Sequence, residues 1–188
     1  MTGISADPYW WQAAPPQSFH IDSWPERADV VIIGGGYTGF GAAIPLARAG
    51  LDVVILERDQ IGSGASTRNG GITSGNLRLS FNDLAKRFGA HKATAFYQEA
   101  KAARADLAQF IISEKIDCDL QQCGRLVGAL RQKSLDSMKR DAERLTKLFD
   151  IDATVYDRAS LPDYIDTSRY FGGMMRDDIG GIHPAKLL

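Results

Sequence analysis

The chain has 188 residues, with 22 Lys+Arg against 23 Asp+Glu and a formal net charge of -1. That length holds one ordinary domain, or one domain and part of another. The charge balance gives no reason to expect a nucleic acid or an anionic membrane as partner, and 44% apolar residues exclude wholesale disorder. Cys118 and Cys123 are too few for a disulfide framework, and their Cys-x4-Cys spacing is not a zinc pattern. Both are expected as reduced thiols of a cytoplasmic protein, with no bound metal. The N-terminus shows no basic region leading into an apolar stretch, and no window approaches the roughly 20 apolar residues of a membrane span.

Residues 1–27 read as an arm, rich in aromatics and proline: Tyr9, Trp10, Trp11, Pro15, Pro16, Phe19, Trp24 and Pro25. Proline breaks regular structure, and so many aromatics are not expected to stay in water. The arm is expected to pack along the domain surface, or else to line a substrate entrance or a subunit contact. The first regular element is Asp29-Val-Val-Ile-Ile33, a β-branched apolar run of the kind buried on both faces of a parallel sheet. Gly34 to Gly39 follow, then a helix from Phe40 that stops at Gly50, then a second apolar run from Asp52 to Leu56 that ends at Glu57. Strand, glycine turn, helix and strand make one βαβ unit of about 30 residues. Pro45 breaks the local rule inside the helix and predicts a kink or a tightened first half.

Eleven of the 19 glycines lie between Gly34 and Gly75. Gly34, Gly36 and Gly39 form G-x-G-x-x-G directly after a strand and at the opening of a helix, the context that gives the string its meaning. The first glycine permits the tight turn, the second lets a pyrophosphate approach the backbone, and the third lets helix and strand pack closely. The free N–H groups of the helix start, those of Gly35, Gly36, Tyr37, Thr38 and Gly39 among them, and its positive dipole face the phosphates. Glu57, 18 residues after Gly39, stands where a carboxylate accepts hydrogen bonds from an adenosine ribose, and it would repel a 2′-phosphate, an exclusion that Arg58 weakens slightly. A second cluster, Gly62-Ser-Gly-Ala-Ser-Thr-Arg-Asn-Gly-Gly71, begins five residues later. Its small residues Gly64 and Ala65 allow backbone to lie against a ligand. Ser66 and Thr67 offer hydroxyls, Arg68 a charge for phosphate and Asn69 an amide. Gly70 and Gly71 are expected to turn the chain at positive φ. A flexible loop of ordinary composition is the other reading of this segment.

Further on, helical periodicity covers Asn82 to Ile116, broken at Gly89, and Leu135 to Phe149; Gly124–Leu130 reads as a strand. Past Asp150 come short strands and turns, punctuated by Leu161-Pro162, Gly172-Gly173 and Gly180-Gly181. His183-Pro184 opens a further helix. A parallel sheet needs helices on both faces and more than two strands, so the chain is expected to be part of a longer protein.

The two glycine clusters and the intervening Leu-Glu-Arg resemble the FAD-dependent amino-acid and amine oxidoreductases, the group of D-amino-acid oxidase, glycine oxidase and sarcosine oxidase. The resemblance is strong over Asp29–Gly71 and weaker beyond. It implies an α/β, Rossmann-like, doubly wound FAD-binding domain, incomplete here: an N-terminal arm, a βαβ unit and flavin loop over 28–80, and the start of an α+β substrate domain over 81–188. It implies Gly34, Gly36 and Gly39 at the FAD phosphates, Glu57 at the ribose and Gly64–Gly71 along the flavin. Some members of that group bond the flavin covalently through a histidine in the second cluster; no histidine lies between His20 and His91, so the resemblance implies non-covalent FAD. The implied reaction is oxidation of the C–N bond of an amine or amino-acid substrate by hydride transfer to the flavin, with no single acid–base residue obligatory. An NAD-binding dehydrogenase domain and a non-catalytic flavin-binding remnant are the alternatives. His183, Tyr164, Arg169 and Tyr170 are weaker candidates for substrate or flavin contact, and a structural role is the first expectation for His183.

Overall fold

The computed structural model describes residues 4–21 and 23–188. Met1–Gly3 and Asp22, part of the arm as read from sequence, lie outside the described residues. The chain divides into two compact units. The first holds the described residues up to Gly71, together with 116–119 and 183–188; the second holds 72–115 and 120–182.

In the first unit, β1 (Val30–Ile33) and β2 (Val53–Leu56) pair in parallel, Val30 opposite Val53 through to Ile33 opposite Leu56. The crossover is α1 (Tyr37–Arg48). Its C-terminus closes on Gly50, at φ +86°, with the Gly50 and Leu51 N–H groups donating to the carbonyls of Ala47 and Leu46. Pro45 sits within α1, which runs on to Arg48. The bond it removes would have joined its nitrogen to the Gly41 carbonyl. Both residues are exposed, so water can satisfy that carbonyl. The sheet differs from expectation on one face. Ile32 packs toward α1, against Gly39, but Val31 is 53% and Ile33 82% exposed. One crossover helix can cover only one face of a two-stranded sheet. The unit closes with α5 (Pro184–Leu187).

The second unit is built on antiparallel pairing. β3 (Ile72–Ser74) pairs with β7 (Ile179–Gly181), and β6 (Gly172–Arg176) lies between β4 (Arg125–Gly128) and β5 (Ala153–Asp157). Three helices accompany these strands: α2 (Phe81–Phe88), α3 (Ala90–Ser113) and α4 (Gln132–Phe149). Ser80 caps α2 by accepting from the Asp83 N–H, and Gly89, at φ +85°, separates α2 from α3. Leu145, Phe149 and Ile151 form a core against Phe81, Tyr97 and Ala153, with Tyr97 stacked on Phe149 at 4.9 Å. Lys101 Nζ donates to the carbonyls of Phe149 and Asp150 at 2.7 and 2.8 Å, which satisfies the C-terminal end of α4.

Candidate functional site

The first glycine turn is set by backbone crowding. Gly34, at φ +108°, carries the chain out of β1, and its N–H donates to the Leu56 carbonyl at 2.7 Å. An added Cβ on Gly39 would run into the Gly34 carbonyl oxygen, so only glycine lets α1 start this close to β1. Gly36 is the extended residue before α1, and a Cβ there would meet Ser66 Oγ at 2.8 Å. A helix start leaves its first N–H groups without partners in the helix. The Tyr37 N–H donates to Ser66 Oγ at 3.0 Å and that of Phe40 to the Gly36 carbonyl. Those of Thr38 and Gly39 meet no acceptor among the described residues.

Glu57 turns back to this loop. Its Oε2 accepts from the Gly35 N–H at 2.7 Å and its Oε1 from the Asp59 N–H at 3.0 Å. These bonds, that from Asp59 first, hold its carboxyl below the usual carboxylate range. Arg58 points into solvent and pairs with Asp59 at 2.9 Å.

The second cluster is held by side chains. Ala65–Thr67 form a 3-10 turn after the extended Gly64. Asn69 is folded inward: its Nδ2 donates to the Ala65 and Ser66 carbonyls, and its Oδ1 accepts from the Gly71 N–H. Arg68 Nε donates to the Ser63 carbonyl, and the guanidinium lies 4.4 Å from the centre of the Trp11 ring. Gly71 takes a positive φ of 65°, as does Gly62 at 79°, whereas Gly70 does not; the Asn69 side chain makes the turn that two glycines were expected to share. Thr67, expected only to offer a hydroxyl to a ligand, is 2% exposed. Its Oγ1 donates to the Gly62 carbonyl and accepts from Trp11 Nε1 at 2.7 Å. A polar residue among glycines carries no burial signal.

Tyr37, whose N–H opens α1, also reaches the returning C-terminal segment: its hydroxyl donates to the Pro184 carbonyl at 2.6 Å. Burial, and then the neighbouring Cys118, push the phenol up to about 12. His183 has the structural place expected of it. It is buried, its Nδ1 accepts from the Lys186 N–H, and its ring packs edge-on to Trp10 at 4.9 Å. Tyr164 and Tyr170 belong to the second unit. The Tyr164 hydroxyl bonds to that of Tyr156 at 2.7 Å, and the Tyr170 ring fills the space beside Gly128. The arm is only partly packed, with Trp10 and Trp11 half-buried and Tyr9, Phe19 and Trp24 mainly exposed.

Unmet N–H groups at the start of a helix, a hydroxyl already bonded to one of its neighbours and an ionised carboxylate at the end of the adjoining strand are a donor and acceptor set that fits a dinucleotide. They define an α/β dinucleotide-binding protein. More particularly, the chain belongs to the FAD dependent oxidoreductase family, whose model matches residues 29–188. It is 31% identical over 159 residues to gamma-glutamylputrescine oxidoreductase of Escherichia coli (strain K12), covering 85% of this chain and 37% of that protein. It is also 31% identical over 192 residues to the probable oxidoreductase OrdL of Rhizobium meliloti, covering 98% and 44%. Among solved structures, L-amino acid deaminase from Proteus myxofaciens shares the fold with a TM-score of 0.67 at 22% identity, over 93% of this chain and 37% of that one. Glycine oxidase from Geobacillus kaustophilus does so with a TM-score of 0.67 at 21% identity, over 86% and 42%. The chain thus spans 37% to 44% of the length of these relatives.

Proposed function

We propose that this chain is the cofactor-binding part of a flavoenzyme that oxidises the C–N bond of an amine or amino acid, with FAD held non-covalently. The observation that carries the reading is the Glu57 carboxylate, bonded to the Gly35 N–H of the glycine turn and standing at the end of β2. Gly34–Gly36 and the turn at Tyr37, with the unmet N–H groups of Thr38 and Gly39, would hold the FAD phosphates, and Glu57 would take the adenosine ribose. Gly64, Ala65, Ser66, Gly70 and Gly71 run along the flavin, with Arg68 and Asn69 shaping that segment. When bound, FAD supplies the acceptor for a hydride from the carbon next to the substrate nitrogen, and the resulting imine is hydrolysed by water. The chain's own work is to hold the phosphates on a helix start and to keep a negative charge at the ribose. That charge disfavours a 2′-phosphorylated cofactor.

The substrate class rests on the names of the relatives, which include a gamma-glutamylputrescine oxidoreductase, an L-amino acid deaminase and a glycine oxidase. Among the described residues no helix is long and apolar enough to cross a membrane. Cys118 and Cys123 are free thiols, which supports a cytoplasmic location.

The reading is tested by titrating the purified protein separately with FAD and with NAD, and then denaturing the complex. FAD is expected to bind with a shifted flavin spectrum and to leave with the supernatant on denaturation. Binding of NAD in place of FAD would refute the cofactor assignment.

A further inference from the structure

The family match begins at residue 29, yet the arm before it makes a set of specific contacts to the second glycine cluster. Trp10 Nε1 donates to the Asn69 carbonyl at 2.8 Å and Trp11 Nε1 to Thr67 Oγ1 at 2.7 Å. The Trp11 ring lies under the Arg68 guanidinium. The other face of this clasp is the pair of residues that flank α5: Trp10 packs on His183, and Leu188 fills the space beside Gly62. Further along, Gln17 bridges to Ile61 and Gln60 Nε2 donates to Ser18 Oγ at 3.0 Å.

Three consecutive loop residues, 67, 68 and 69, are therefore each held by one of two adjacent tryptophans. Thr67 passes the restraint on, because its own O–H is committed to the Gly62 carbonyl where the loop begins. Ser66, between these anchors, is the residue whose hydroxyl meets the N–H that opens α1. Freeing the loop would free Ser66 from the helix start.

We propose that Trp10 and Trp11 are positioning residues for the cofactor: by pinning Thr67, Arg68 and Asn69 they hold the loop 62–71 against the start of α1, and so set how fast bound FAD leaves. The inference rests on the assignment of FAD to this site. The arm acts through the loop and need not touch the cofactor.

The test compares Trp11→Phe, which keeps the ring under Arg68 and removes its N–H, with Thr67→Val and Thr67→Ser in the whole protein as expressed from its gene. FAD release is followed by the recovery of flavin fluorescence after dilution, and hydrogen exchange of the 62–71 amides is measured in the cofactor-free protein. Loss of one such bond is expected to speed FAD release ~5-fold in Trp11→Phe and at least as much in Thr67→Val. Loop exchange should rise in both. Thr67→Ser should restore the wild-type values, and Trp24→Phe, on the exposed part of the arm, should leave them unchanged. Wild-type release rates in Trp11→Phe and Thr67→Val would overturn the proposal, even if both melted at lower temperature. Failure of the unaltered protein to take up FAD would instead sink the functional assignment. Loop exchange would then still judge the arm: unchanged exchange in Trp11→Phe would remove the clasp as well.

Discussion

The two glycine clusters look alike in composition and are held by different forces. In the turn 34–39, two of the glycines are required by backbone: a Cβ on Gly39 collides with the Gly34 carbonyl, and Gly34 itself has a left-handed φ. In the loop 62–71, Gly62 and Gly71 also turn at positive φ, and the rest of the order comes from side chains. Asn69 makes three local bonds, Thr67 joins Gly62 to Trp11, and Gly64 has open space where a Cβ would go. Backbone crowding dominates the first cluster; the second adds, to its two left-handed glycines, what Thr67 and Asn69 donate and accept. A glycine-rich string therefore says little about mechanism of order until its neighbours in space are known.

That contrast can be broken at several points, with effects of decreasing size. Gly39→Ala should be the most damaging, costing about 3 kcal/mol because the colliding atom is backbone and cannot turn away. Urea unfolding measures it, and FAD binding should be lost with it. Thr67→Val keeps the shape but leaves the Trp11 N–H and the Gly62 carbonyl without their partner, a loss of about 2 kcal/mol in the same assay. Gly34→Ala meets no atom yet forces a side chain into φ +108°, for roughly 1 kcal/mol. Gly64→Ala, with open space and an extended backbone, should stay within about 0.5 kcal/mol of the parent. If Gly64→Ala proved as harmful as Gly39→Ala, the distinction between the clusters would fail.

Acid sharpens the same contrast. The Glu57 carboxyl is held below its ordinary value by the Asp59 and Gly35 N–H groups. A depressed carboxyl contributes stability that is fully present above the unfolded pKa and is lost as pH falls through the folded one. Stability of the parent should thus decline below about pH 4.5, the ordinary value. Glu57→Gln should flatten that part of the curve, as followed by urea midpoints across the acid range. Parallel curves for the two proteins would show that the Glu57 charge contributes nothing to folding.

Much of the first unit was legible from local pattern. Apolar runs flanking G-x-G-x-x-G located β1 and β2, Gly50 marked the end of α1, and Glu57 fell at the end of β2 as its spacing requires. Gly89 likewise separated α2 from α3 as expected. These features have signals confined to a few neighbouring residues, such as side-chain period, positive φ or helix capping. The exposure of Val31 and Ile33 was not legible, since an apolar run states what a strand can bury and not what is present to cover it.

By itself, then, the sequence determined the βαβ unit, its glycine turn and the acidic residue that closes it, because each is encoded within a few residues of chain. Only the tertiary structure decided that Thr67 is buried, that Asn69 braces its own loop, and that 116–119 and 183–188 return to the first unit. The Trp11–Thr67 bond spans 56 positions, and the Tyr37–Pro184 bond 147. Hydrogen-bond partners so far apart leave no periodicity and no spacing rule. They exist only once the backbone has brought donor and acceptor within 3 Å of each other.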